Sequence, residues 1–396
     1  MKLVSTSTLL LCSSLVFVAC GGSSNDPDPT PDASVPDAGP DGRVDASTDW
    51  DDPTDCPDAD RLTDPNHCGR CRFSCAGAAC VGGVCEPQTV IEGIEQPTSV
   101  LPLAKTLYWA SFNGSVYQCK PGECADTNVE ISRVPFSEPM SLTTPLDGNR
   151  VLWSQSRLQA IVWCKPDDCN NETVLVIADQ DRPTYVVADV NHIHWITRTA
   201  LRRCEYRQCS STVKDLATGL DEPGKFAFSP DHYYWTSPRT GHVLRCPGNG
   251  CGPEGPSVFA SGQNRPYAIG VALNHVYWTN EGDGSIVRCP RSGCEGAPQV
   301  IATGQDTPRH LMLVESDTVI WANSPVGRDG SIVRCEVTEE GLCRRSPQVI
   351  ASGQKRPVSL NLERRFLFWA NAGTSREAKD GSIRFTPVTR GVEGNL

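Results

Sequence analysis

The chain carries 396 residues, with 47 acidic side chains against 36 basic ones, a net charge of −11, and 20 cysteines. No basic patch in the sequence suggests nucleic acid as a partner. Closely spaced cysteines in this number argue against a reducing compartment, so they read as a disulfide framework before a metal framework.

In chain order, Lys2 and the mostly apolar run from Leu3 to Ala19 come first. The run is too short and too broken by Ser and Thr to span a membrane, and it reads as an export signal. The segment Phe17-Val18-Ala19-Cys20 resembles a bacterial lipobox. That resemblance implies removal of residues 1–19, acylation of Cys20 and a membrane anchor made by its lipid. Gly21 after the cysteine points by the same resemblance to the outer membrane, facing either the periplasm or the cell surface. Residues 20–55 are mostly Gly, Ser, Asp, Pro, Ala and Thr, which cannot bury enough surface to offset ordering entropy, so a disordered tether is expected. Between Asp26 and Asp55 ten Asp stand against Arg43 alone, so most of the negative charge belongs to the tether and the remaining chain is nearly neutral.

Residues 56–87 hold Cys56, Cys68, Cys71, Cys75, Cys80 and Cys85 among Gly, Pro and Asn, with few large apolar side chains. Such a piece has no core without staples. Three disulfides are expected, with their connectivity open; Cys68-x-x-Cys71 would also suit zinc or a redox pair, but the oxidising address favours disulfides. The run from Asp64 to Cys71, followed by Cys80 to Cys85, resembles a small cysteine-rich module found ahead of propellers in exported proteins of soil bacteria. The resemblance implies no particular activity.

Residues 88–396 repeat. Trp109, Trp153, Trp195, Trp235, Trp278, Trp321 and Trp369 recur at intervals of 40 to 48 residues. Upstream of them stand Pro97, Pro139, Pro183, Pro223, Pro266, Pro308 and Pro357, each followed three residues later by an apolar side chain. Every unit reads as four short strands, rich in β-branched and aromatic residues with period-two alternation. An all-β fold follows, a seven-bladed β-propeller, with six or eight blades as alternatives. Asn113-Gly114, Asp283-Gly284, Asp329-Gly330 and Asp380-Gly381 are expected to form tight second-to-third-strand hairpins through two residues of positive φ. Twelve cysteines form close pairs: Cys119 with Cys124, Cys164 with Cys169, Cys204 with Cys209, Cys246 with Cys251, Cys289 with Cys294, and Cys335 with Cys343. Each is expected to close a small disulfide loop. The last unit stops after its third strand, and Thr89 to Glu92 is expected to supply the missing outer strand and close the ring. Tyr277-Trp278-Thr279-Asn280 and Tyr234-Trp235-Thr236 resemble the YWTD propellers of lipoprotein-receptor ectodomains, a class that usually has six blades.

The loops entering the inner strands, with their Gln-x-x-Pro pattern, share one face with the second-to-third-strand turns. That face offers Arg182, Arg265, Arg309 and Arg356 with Tyr185, Tyr267 and His310, groups suited to carboxylates or phosphates and to stacking on sugars. Glu138 and Glu222 share the face and would pair with the arginines if these are only surface side chains. The polar inner-strand residues Ser99, Ser141, Lys225, His310, Ser359 and Asn361 do not compose a catalytic or metal set, and His192 and His194 lie two apart on one side of a strand. No catalytic residue, metal or cofactor is therefore expected. The reading is a monomeric envelope lipoprotein that binds or scaffolds an unknown protein, glycan or envelope polymer through the ring face. The alternative is a lyase- or lactonase-like propeller enzyme acting at the central channel.

Overall fold

A computed structural model describes residues 60–388, apart from residues 70, 72, 167, 170–173, 295, 315, 316, 376 and 377. The signal, Cys20, the tether and Cys56 lie outside the described residues. Seven four-stranded antiparallel sheets form the blades of a propeller. Blade one runs Pro97–Leu103, Thr106–Ser111, Ser115–Cys119 and Val129–Arg133 from the inner strand outward. Blades two to six repeat this order, with inner strands Pro139–Thr143, Tyr185–Ala188, Phe226–Phe228, Pro266–Val271 and Pro308–Val314.

Blade seven takes its first three strands from Pro357–Glu363, Phe366–Asn371 and Gly381–Pro387, and its outer strand from Gln88–Ile94. The two ends of the repeat region are thus hydrogen-bonded in one sheet, Thr89 opposite Arg384 and Glu92 opposite Ser382. Closure was expected of residues 89–92, and the pairing extends to 88–94. A closed ring leaves only short, protected strand edges.

The dipeptide ending in each tryptophan explains how blades pack. Successive strand residues point to opposite faces. Trp278 lies with Tyr234 and Val243 of blade four, and the residue before it, Tyr277, lies with Trp321 of blade six. The same relay joins Tyr108 to Trp153, Leu152 to Trp195, Ile320 to Trp369 and Phe368 to Trp109. In blade three the relay position is His194, whose ring meets Tyr233 of blade four instead. Each interface is a small apolar core of its own, so stability is distributed around the ring.

All six close cysteine pairs are disulfides. Cys119 bonds Cys124, Cys164 bonds Cys169, and Cys204 bonds Cys209. Cys246 bonds Cys251, Cys289 bonds Cys294, and Cys335 bonds Cys343. In each pair the first cysteine lies at or near the end of a third strand and the second in the segment before the outer strand. Cys124 and Cys209 open single helical turns, Cys124–Thr127 and Cys209–Thr212, where the loop was expected to be only a hairpin connection. Five of the bridges span five residues, while that of Cys343 spans eight and sits beside an extra bridge pairing of Cys343 with Val337. In the cysteine-rich segment Cys68 bonds Cys80, Cys75 bonds Cys85, and Cys71 is also disulfide-bonded. The segment rests on the propeller: Thr386 donates to the Cys85 carbonyl at 3.3 Å, and Val84 packs against the core between blades six and seven.

The hairpin chemistry differs from expectation. Only Gly114 (φ 106°) and Gly284 (φ 68°) are left-handed in their turns; Asn113 and Asp283 are not. These side chains instead accept hydrogen bonds at 3.0 Å from the backbone N–H two residues on, at Ser115 and Ser285. An Asx turn followed by a left-handed glycine replaces the expected two-residue turn. Gly330 and Gly381 start strands after longer loops, and each is small for lack of space: a Cβ on Gly330 would stand 2.1 Å from the Asn323 carbonyl oxygen.

A candidate anion site at the channel mouth

The residue before every inner-strand proline has a positive φ: Gln96 (32°), Glu138 (51°), Arg182 (49°), Glu222 (44°), Arg265 (54°), Thr307 (57°) and Arg356 (55°). None is glycine, and a residue ahead of proline normally prefers extended backbone, so each position is held in a costly conformation by its surroundings. The kink turns the chain from the outer strand of one blade into the inner strand of the next and sets side chains around the channel mouth.

The glutamines of the Gln-x-x-Pro loops anchor these turns. Gln180, Gln263, Gln305 and Gln354 accept from the indole N–H of Trp195, Trp278, Trp321 and Trp369 at 2.8–3.0 Å. In blades five to seven the same Oε1 also accepts from Asn280, Asn323 and Asn371 at 2.9–3.1 Å. The Gln-x-x-Pro glutamines thus have an architectural role at the base of the loops, buried at Gln180 and Gln354 and partly buried at Gln263 and Gln305.

Most polar inner-strand residues are stitches between blades. Ser99 accepts from the Leu142 N–H at 3.0 Å, Ser359 accepts from the Val100 N–H at 3.3 Å, Ser141 donates to the Val186 carbonyl at 3.2 Å, and Asn361 donates to the Val100 carbonyl at 3.3 Å. Lys225 and His310 face each other across the channel mouth instead, with Nζ 2.8 Å from Nδ1. A cavity of about 710 Å³ opens there, lined among others by Tyr185, Lys225, Tyr267, Arg309, His310 and Arg356. Its lining holds three cationic side chains and no carboxylate.

Electrostatics sharpen this picture. Burial brings the Lys225 ammonium down to about 8, so it remains mostly charged at neutral pH. Burial, then the charges of Lys225 and Arg309, push His310 well below its ordinary value. The imidazole is therefore neutral, and Nδ1 accepts from the lysine. Lys225 lies 5.0 Å from the Tyr185 ring centroid, and the Arg309 guanidinium 5.5 Å from that of Tyr267, contacts that stabilise the cations and orient the rings. Burial raises both tyrosine hydroxyls, more than offsetting the nearby Arg309 at Tyr267, so each remains a neutral hydrogen-bond donor.

The seven residues singled out from sequence separate into two groups. Tyr185, Tyr267, Arg309, His310 and Arg356 line the cavity; Arg182 and Arg265 lie outside its lining. Arg182 stands 3.9 Å from Glu138, and Arg265 stands 3.0 Å from Glu281. Arg309 also pairs with Glu281, whose side chain is almost wholly buried. Glu222 pairs with Arg239 at 3.9 Å rather than with a ligand-face arginine. Among the described residues Lys225 has no carboxylate partner, in contrast to Arg309 of the same lining, so its charge is open to a ligand.

Lys225 was visible as an inner-strand polar residue but not as part of the face. Aligning the units on their prolines would have shown it two residues after Pro223, in register with Tyr185 and His310. Glu281 carries no such signal, because nothing in the sequence places it between Arg265 and Arg309.

Fold and site together define a disulfide-stapled seven-bladed propeller with a cationic pocket at one end of its channel. Among solved structures, the chain is similar to virginiamycin B lyase from Staphylococcus aureus, with a TM-score of 0.58 and 11% identity over 76% of this chain and 99% of that one. A catalytically inactive histidine-to-alanine variant of that lyase with quinupristin gives 0.59 and 12% over 76% and 99%. The WD40 propeller domain of Doa1 gives 0.59 and 10% identity over 76% and 96%. Identities this low show the fold alone. No protein family matches the chain, and no curated protein does.

Proposed function

We propose that this protein is an envelope lipoprotein, anchored through Cys20, whose channel-mouth pocket binds an anionic sugar residue of a cell-envelope or extracellular glycan. The observation that carries the reading is Lys225, a part-buried cation with no carboxylate partner among the described residues, in a pocket whose lining holds no carboxylate; Arg309, also in the lining, is already paired with Glu281. A carboxylate or phosphate entering the pocket meets Lys225, while the faces of Tyr185 and Tyr267 suit a sugar ring. The disulfides support an oxidising compartment. Among the described residues no helix is long and apolar enough to cross a membrane.

Titration calorimetry with uronate oligosaccharides and their neutral counterparts tests the reading. Wild-type protein should bind the uronate and reject the neutral sugar, and Lys225→Met should lower uronate affinity about tenfold or more, the loss of a charge-assisted hydrogen bond of about 1.5–3 kcal/mol. Equal affinity for charged and neutral sugars, or an unaffected Lys225→Met variant, would refute it.

The Lys225–His310 contact favours one further reading. A lysine brought down to about 8 beside a neutral imidazole is a candidate general base, and propellers of this shape include a lyase. On a uronate it would remove the proton next to the carboxylate as the adjacent carbon–oxygen glycosidic bond breaks; the C–H electrons form the new double bond of an unsaturated sugar, and the departing oxygen takes up the proton from the lysine ammonium or from water. Growth of ultraviolet absorbance during incubation would reveal that product, and intact oligosaccharide after prolonged incubation would eliminate this reading.

A further inference from the structure

At the other end of the inner strand from the channel mouth, blade three differs from its six neighbours. The position before the tryptophan is aromatic or aliphatic in the rest: Tyr108, Leu152, Tyr234, Tyr277, Ile320 and Phe368. Here it is His194, 1% exposed. Two residues earlier, on the same side of the strand, stands His192, and the turn that leads into the strand contributes Asp189. Blades four and five also carry a histidine at the outer position, His232 and His275, but each faces a tyrosine two residues on. Among the described residues a second histidine and a carboxylate converge only in blade three.

The geometry is that of a ligand set. Asp189 Oδ2 lies 2.9 Å from His194 Nε2, and its Oδ1 lies 3.6 Å from His192 Nδ1. One donor atom from each of the three residues lies within 4.8 Å of the others. Donors bound to zinc at about 2.0–2.2 Å stand about 3–3.5 Å apart, so the 2.9 Å Asp189–His194 contact has to widen slightly and the half-exposed His192 ring has to swing in. Behind the site, His194 Nδ1 is 2.9 Å from the Tyr233 hydroxyl, which holds the ring and can accept its N–H when Nε2 is a ligand. Backbone N–H groups of Asn191 and His192 donate to Asp189 Oδ1 at 2.7 and 2.6 Å and fix the carboxylate.

We propose that Asp189, His192 and His194 bind one divalent first-row cation, zinc being the best match to two imidazoles and a carboxylate with an open coordination position. This site is separate from the channel pocket and does not depend on what that pocket holds. A purely architectural Asp189–His194–Tyr233 hydrogen-bond chain would cap the turn equally well, but it has no need of His192. That residue decides between the two.

The test uses the tag-free full chain with its disulfides intact, stripped with chelator and titrated with Zn²⁺ against a chromophoric indicator. One equivalent should bind, and Cu²⁺ in its place should show nitrogen hyperfine splitting from two imidazoles by electron paramagnetic resonance. His192→Ala, at a half-exposed position, should keep the fold and lower zinc affinity at least about 100-fold, and Tyr233→Phe about 10-fold. His232→Ala, His275→Ala and His310→Ala should leave binding unchanged. No bound equivalent in the wild type, or full affinity in His192→Ala, would overturn the proposal and leave the cluster as a turn cap.

Discussion

The lysine in the channel mouth makes the most direct demand on experiment. With its ammonium brought down to about 8 by burial, Lys225 is charged below that value and neutral above it. Affinity for an anion should therefore be full well below pH 8 and fall as pH rises through it, in calorimetric titrations repeated across the range, and Lys225→Met should flatten that profile. Folding responds in the opposite sense. Between about 8 and lysine's ordinary value the unfolded chain holds a proton that the folded chain has released, so stability should rise with pH over that window. The pre-proline kinks make a second demand. Thr307, β-branched and at φ 57°, is the least suited of the seven to a left-handed backbone. Thr307→Gly relieves about 1–2 kcal/mol of strain against about 0.5–1 kcal/mol of added chain entropy, so chemical denaturation should show a small net gain.

A blade is held by its staple as well as its ladder. The Cys246–Cys251 bridge joins residues five apart at the end of a third strand, and on the loop-entropy account a closure this short contributes about 2 kcal/mol. The double variant Cys246→Ser with Cys251→Ser should lose about that much in denaturant unfolding while keeping the far-ultraviolet spectrum of the native protein. Spacing made this element legible, since four residues between cysteines fit only a local loop. The helical turns that Cys124 and Cys209 open at the close of two of those loops were not legible, because four residues are too few to show a helical period. The turn chemistry was also less legible. Asn-Gly and Asp-Gly suit either a two-residue turn or an Asx turn with a left-handed glycine, and the choice depends on the strands they join. Gly330 and Gly381 looked like turn residues but are small because a neighbouring backbone passes too close for a Cβ.

For the whole molecule, the closing strand Gln88–Ile94 carries the ring. Deleting residues 88–94 leaves the third strand of blade seven unpaired along one edge, and such an edge recruits another chain. The truncated protein should dimerise or aggregate in size-exclusion chromatography with light scattering, where the intact chain should run as a monomer; a monomeric truncation would mean that closure contributes little. Seven blades, the six blade disulfides and the closing of the ring by the segment around residues 89–92 were readable from the repeat, because tryptophan, proline and cysteine recur at nearly regular offsets and each has one plain structural use. The repeat also placed residues flanking the inner-strand prolines near the channel mouth: Tyr185, Tyr267, Arg309, His310 and Arg356 line the cavity there, while Arg182 and Arg265 do not. What the repeat could not decide was pairing between units. Glu281 pairs with Arg309 at the start of the next blade, Lys225 meets His310 from 85 residues away, and His194 meets Tyr233 of the next blade. Each of these contacts joins segments distant in sequence, and periodicity fixes where a side chain starts but not which neighbour the closed ring brings against it.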